Sequence, residues 1–141
     1  MRQRQTIVTG AFGTTRSWVM RDYVSENRKN LIVCSSKKES ETVFDDLSFF
    51  TGSSSIKLLP AWDTLSFEMI SPQRQISAQR ISSLMNLFDD SVSTIVTSIE
   101  ALQLKTIDIQ KYFDLSFEIR TNSEIERDKF ISLLDKAGYT I

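Results

Sequence analysis

The residues of this 141-residue chain best placed to do chemistry lie near its start, in Gly10-Ala11-Phe12-Gly13-Thr14-Thr15-Arg16-Ser17. A phosphate loop reads G-x-x-x-x-G-K-[ST] and sits between a strand and a helix. Gly10 and Ser17 are in register with that pattern, but Thr15 stands for the second glycine and Arg16 for the lysine. A β-branched residue resists the backbone conformation and close approach that glycine supplies. A guanidinium is wide and flat, whereas lysine brings a compact charge between the β- and γ-phosphates. Free N–H groups at the start of the following helix still favour an anion weakly. Hydrolysis needs in addition a metal-holding acid at a strand end, and the apolar run Ile95-Val96-Thr97-Ser98 ends without one. Gly10, Gly13, Thr14, Thr15, Arg16 and Ser17 therefore read as a degenerate, non-functional phosphate loop.

A second group lies between Pro60 and Arg80. Trp62, Phe67 and Met69 form either a contact surface, as long structured loops often do, or core beneath such a loop, which the burial tendency of aromatics favours. Asp63 belongs to the same stretch. Arg74 and Arg80, beside Gln73 and Gln79, are candidates for phosphate-backbone contacts. With no wider basic cluster around them, capping or surface pairing is the favoured role. Trp62, Asp63, Phe67, Arg74 and Arg80 together make the candidate interaction surface. Asp63 and Glu68 lack the histidine, nucleophile or metal cluster that would make them an acid–base pair.

Composition narrows the chemistry further. There is no histidine, which removes the usual general base and the commonest metal ligand. The single cysteine, Cys34, cannot form an intrachain disulfide or a thiolate metal site, and its place after Leu31-Ile32-Val33 predicts a buried thiol on a strand. The formal net charge of -1 gives no bulk attraction to nucleic acid or membrane. No apolar run approaches the roughly 20 residues of a membrane-spanning helix, and the polar start lacks a signal-peptide core. A cytoplasmic protein without a membrane partner is expected.

The elements that must position these residues follow from periodicity. Thr6–Thr9 reads as a short strand leading into the glycine loop, and Thr14 or Thr15 as the N-cap of a helix carrying Trp18, Val19 and Tyr23. Leu31–Cys34 reads as a strand buried on both faces. Ser35 or Ser36 caps a helix striped by Val43, Phe44, Leu47 and Phe50, and Gly52 turns the chain into a strand at Ile56–Leu59. Residues 61–75 show no clean period and read as a structured loop. Ile76–Phe88 is helical, Ser93–Thr97 a strand, and Ile99–Leu104 a short helix. Leu115–Ile119 alternates strictly and predicts an edge strand, while Asp108–Tyr112 is too polar to assign. Glu124–Lys136 forms the last helix, stopped at Ala137-Gly138. Tyr139-Thr140-Ile141 reads as the start of a further strand, which suggests a piece of something longer. The order predicts one α/β domain over 1–141: doubly wound, a mainly parallel sheet with helices on both faces, of the degenerate P-loop or RecA-like kind.

Several segments resemble one family. Leu59-Pro60-Ala61-Trp62-Asp63-Thr64-Leu65-Ser66-Phe67-Glu68, then Ser71-Pro72-Gln73, then Ile76-Ser77-Ala78-Gln79-Arg80, is similar to the pattern of bacterial transcription-repair coupling factors (Mfd). So are Ile95-Val96-Thr97-Ser98-Ile99-Glu100-Ala101-Leu102 and Leu134-Asp135-Lys136-Ala137-Gly138-Tyr139, and the family commonly shows G-x-x-G-[ST]-x-R-[ST] in the loop. The likeness runs from about Val8 to Tyr139. It implies the first lobe of a UvrB-like region, serving as a non-catalytic scaffold at the entry to a UvrA-binding domain that it helps to hold masked. It also implies partners of the whole protein, namely UvrA, RNA polymerase stalled at a lesion and double-stranded DNA. The full-length family member is an ATP-dependent DNA translocase of helicase superfamily 2, whose ATP and Mg sites lie outside this chain. Here no cofactor is expected. The excision-repair protein UvrB shares the layout and supplies the alternative, an active ATP-binding motor lobe. Arg16 in place of lysine and the short, tyrosine-poor Trp62–Gln75 segment depart from it.

Overall fold

A computed structural model describes residues 6–24, 28–52, 54–63, 73–106, 108–117, 119–122 and 124–139. Phe67 and Met69 lie outside the described residues. The elements run α1 (Thr14–Arg21), β1 (Asn30–Cys34), α2 (Lys37–Thr51), β2 (Ile56–Leu59), α3 (Arg74–Met85), β3 (Thr94–Ser98), α4 (Ile99–Leu102), α5 (Ile109–Leu115) and α6 (Arg127–Lys136). They divide into two compact units, residues 1–104 and 105–141.

The first unit is an α/β layer structure. Its sheet has the order β1-β3-β2 and is parallel throughout, with Asn30 opposite Thr94 and Ile56 opposite the same residue. β3 is the central strand and is buried along its whole length, as expected of a parallel strand covered on both faces. Alternation along it feeds two cores. Val96 points to the side of α2 and packs with Cys34, Val43, Leu47 and Ile56. Ile95 points the other way, to Leu59, Val92 and Leu84 of α3. Helices thus pack on both faces of the sheet. The side chains of Leu47 and Val96 are fully buried, each contributing about 1.5–3 kcal/mol through removal of apolar surface from water.

Local chemistry fixes the ends of α2. The Ser36 Oγ accepts a 3.3 Å hydrogen bond from the Glu39 N–H, capping the helix start. Gly52 closes it with φ 59°, a left-handed conformation that side chains resist, and its N–H donates to the Ser48 carbonyl at 3.0 Å. α1 packs on the outside of α2. Trp18 and Phe50 meet edge-to-face there, with ring centroids 5.1 Å apart, and the Arg21 guanidinium lies 3.9 Å from the Trp18 ring centroid.

Four expectations are corrected. Leu31–Cys34 lies in a strand but is not buried on both faces; β1 is at the end of the strand order, and Leu31 and Val33 are exposed. Thr6–Thr9 is not in a strand; all four residues are exposed, Ile7 by 77%. β-propensity alone does not form a strand without a ladder to join. Thr14 and Thr15 do not cap α1; Gly13 holds that position and no side chain caps the helix. Leu115 is the last residue of α5, not the first of a strand, because the preceding Asp108 caps a helical turn by accepting from the Gln110 N–H.

The second unit holds α5 and α6. Phe117 packs edge-to-face on Phe130 of α6 at 5.2 Å. Among its described residues none is buried.

Candidate functional site

The glycine loop lies where the sequence places it, immediately before α1. Gly13 takes φ 55° and ψ -138°, a backbone open to glycine and strained for any other residue, so a substitution here would move the start of the helix. The Arg16 N–H donates to the Gly13 carbonyl at 3.1 Å, closing the first turn. Phe12 stands 82% exposed at the tip of the loop, with Thr14 and Thr15 also at the surface. Ser17, the residue in the position of the metal-binding hydroxyl, is instead buried within the fold.

Arg16 decides what the loop can do. Its Nη1 donates to the Glu39 carboxylate in an ion pair that ties α1 to the first turn of α2. The other Glu39 oxygen accepts from the Ser35 N–H at 2.8 Å and from the Ser35 hydroxyl. These contacts hold the Glu39 carboxyl below its ordinary pKa, the Ser35 hydroxyl most strongly, then the Ser35 amide and Arg16. The loop's own cation is therefore committed to a carboxylate. A triphosphate would have to displace an ionised, well-bonded Glu39 before Arg16 could meet it.

Glu39 is the residue that sequence reasoning missed. The signal was present as Ser36-x-x-Glu39, the capping-box spacing, in which a Glu three residues after the cap turns back to a backbone N–H. Here Glu39 reaches one residue further, to Ser35, and so comes within range of Arg16. Cys34, just before, is buried at the end of β1 as expected. Burial pushes its thiol pKa up, the Glu39 charge adds to that, and Arg16 opposes it.

The end of β3, where a motor would hold its metal, carries Thr97 and Ser98. The Thr97 Oγ1 donates to the Leu59 carbonyl at 3.0 Å, and the Ser98 Oγ caps α4 by accepting from the Ala101 N–H at 3.3 Å. Both hydroxyls hold the fold together. Among the described residues no cluster of three or more His, Cys, Asp or Glu side chains could hold a metal ion. A paired arginine, a β-branched residue for glycine and hydroxyls where a carboxylate should stand do not fit a magnesium–nucleotide complex.

The second candidate group separates into an inside and an outside. Arg80 is buried, 3% exposed, and is not a surface residue. Its Nη1 donates to the Pro60 carbonyl and its Nη2 to the Ala101 carbonyl at 3.3 Å, while the guanidinium stacks 5.0 Å from the Trp62 ring centroid. One planar fork thereby clamps the segment after β2 to α4, a geometry that suits arginine and not lysine. Desolvation pulls its pKa down. Trp62 is half-buried against it. Asp63 is exposed and accepts from the Gln73 N–H at 3.3 Å, and Arg74 is exposed at the start of α3. The structure joins Trp62 with Arg80 and leaves Asp63 and Arg74 exposed.

The fold and the loop together define a parallel α/β unit whose phosphate-loop position is occupied by an internal ion pair. Comparison with protein-family models, curated proteins and solved structures finds no match to this chain. No helix among the described residues is long and apolar enough to cross a membrane.

Proposed function

We propose that this chain is a non-catalytic scaffold lobe, the first lobe of the UvrB-like region of a transcription-repair coupling factor. The observation that carries the non-catalytic reading is the Arg16–Glu39 ion pair. The residue in the lysine position of the loop serves as a bracket between α1 and α2, with Ser35 holding the carboxylate in place. The family assignment is supported by the order and spacing of the Leu59–Arg80, Ile95–Leu102 and Leu134–Tyr139 segments. In this reading the lobe supports a neighbouring UvrA-binding module. RNA polymerase, double-stranded DNA, ATP and magnesium are then engaged by other parts of the whole protein.

Two measurements test this. Calorimetric titration of the chain with ATP and magnesium is expected to give no saturable heat. Magnesium-dependent turnover that disappears on changing Arg16 and Ser17 would instead establish an active UvrB-like motor lobe. The family assignment stands on the reading frame that encodes the chain. A UvrA-binding module and a translocase motor downstream are expected, and a stop directly after Ile141 would end that assignment while leaving the scaffold reading of the loop intact.

A further inference from the structure

A single exposed phenylalanine on a helix needs no explanation. Phe49 of α2 is 83% exposed, but it does not stand alone. Its ring meets Phe50 edge-to-face at 5.6 Å, and Phe50 meets Trp18 of α1 in the same way. Trp18 is itself 47% exposed, and the Arg21 guanidinium lies over its indole. Arg21, Trp18, Phe50 and Phe49 thus form one unbroken row of contacts across the α1–α2 pair. Val43 and Leu47 turn the other side of α2 into the core, so helical spacing keeps Phe49 outside.

The charges beside the row are acidic. Residues four apart on a helix stand one above the other, which sets Glu41, Asp45 and Phe49 in one stripe, all of them exposed. Among the described residues no cation pairs with Glu41 or Asp45, and none lies over the Phe49 ring. The lysines of α2, Lys37 and Lys38, sit about three turns away at its start. The other end of the row shows how such a place is filled. There the Arg21 guanidinium lies 3.9 Å from the Trp18 ring centroid and donates to the Asp22 carboxylate from Nε at 3.2 Å and from Nη2 at 3.1 Å. A flat cation stacks on a ring and pairs with a carboxylate next to it, a combination that suits arginine. Phe49 and Asp45 offer the same two halves, a ring and a carboxylate.

We propose that this row is a docking surface for a partner protein that presents arginines beside an apolar anchor. One arginine of the partner stacks on Phe49 and pairs with Asp45, a second meets Glu41, and an aliphatic side chain lies against Phe50 and Trp18. Aromatic residues and arginine concentrate at the centres of protein interfaces, and the row supplies both. Charge decides which partner fits. Arg21 is already paired with Asp22, so the charges left open beside Phe49 are the carboxylates of Glu41 and Asp45. They attract a basic segment and repel a nucleic-acid backbone. This surface owes nothing to the glycine loop or to the family assignment.

Titration of the full chain with a labelled helical peptide, its arginines bordering a stripe of leucines, tests the surface. Saturable binding by fluorescence anisotropy is expected, and the same peptide with glutamate in place of arginine should not bind. Phe49→Ala removes the ring and should weaken binding by roughly tenfold or more, the loss typical of an interface anchor. Reversing both carboxylates, Glu41→Lys together with Asp45→Lys, should abolish it. These positions are exposed, so the unfolding midpoint should hold and lost binding reports the surface and not the fold. No saturable binding up to millimolar peptide would overturn the proposal. So would binding that ignores both variants, or that treats the arginine and glutamate peptides alike. Sedimentation equilibrium adds a further arm: self-association abolished by Phe49→Ala would overturn the basic partner and give the row to a second copy.

Discussion

The two compact units differ in how they hold themselves together. In residues 1–104 a central strand, β3, contributes alternate residues to two cores, and polar side chains of Thr97, Ser83 and Arg80 are spent on carbonyls of neighbouring segments. In residues 105–141 two helices present half-buried stripes, and contacts such as Phe117 on Phe130 stay partly open to solvent. Fewer than about 40 residues rarely bury enough surface for an independent core. The lesson is that pattern makes helices in both units, whereas only the sheet supplies partners far apart in sequence that exclude water from a centre.

The sharpest way to break this comparison is to truncate equivalent leucines. Leu47→Ala empties a fully buried site and is expected to cost about 2–5 kcal/mol in denaturant unfolding, against roughly 1 kcal/mol for Leu133→Ala on half-buried α6. Equal losses would erase the distinction between the units. Next comes the clamp. Arg80→Met keeps much of the volume but strands the Pro60 and Ala101 carbonyls, so a loss of about 2–4 kcal/mol should appear as a lower midpoint. Rescue by lysine at this position would show that charge matters and the fork does not.

Capping offers a smaller, two-sided test. Ser36→Ala removes a formed cap and should cost about 1 kcal/mol, while Glu126→Ser supplies one to α6, which has none, and should raise helicity by circular dichroism. The smallest effect is on pH. The Glu39 pKa is lowered in the fold from its ordinary 4.5, so its contribution is full above that value and fades as pH falls through the lowered one. An acid titration of Glu39→Gln should lack that step, and identical curves for the two proteins would remove the ion pair from any stabilising role.

Much of the fold was legible locally. Ser36 and Gly52 announced the ends of α2, and the apolar runs at Leu31–Cys34, Ile56–Leu59 and Ile95–Thr97 are strands, although the continuous run at Leu31–Cys34 did not foretell that Leu31 and Val33 stay exposed on the edge strand. The defective loop could also be read directly, since glycine and lysine are absent from positions whose chemistry demands them. Local reading failed where the outcome needed a distant partner. Thr6–Thr9 has strand propensity without a formed ladder among the described residues, and Leu115, which opens an alternating run in the sequence, ends α5 instead.

The sequence by itself determined that the phosphate loop lacks its lysine, because residue identity suffices for that. Only the tertiary structure decided what took the lysine's place. Arg16 and Glu39 are 23 positions apart and meet because α1 packs on α2. Arg80 lies in a stretch that reads as surface, yet it is interior because α3 carries it under the segment after β2 and beside α4. A side chain's type is written locally; whether its charge faces water, a phosphate or a buried carbonyl depends on which elements close around it.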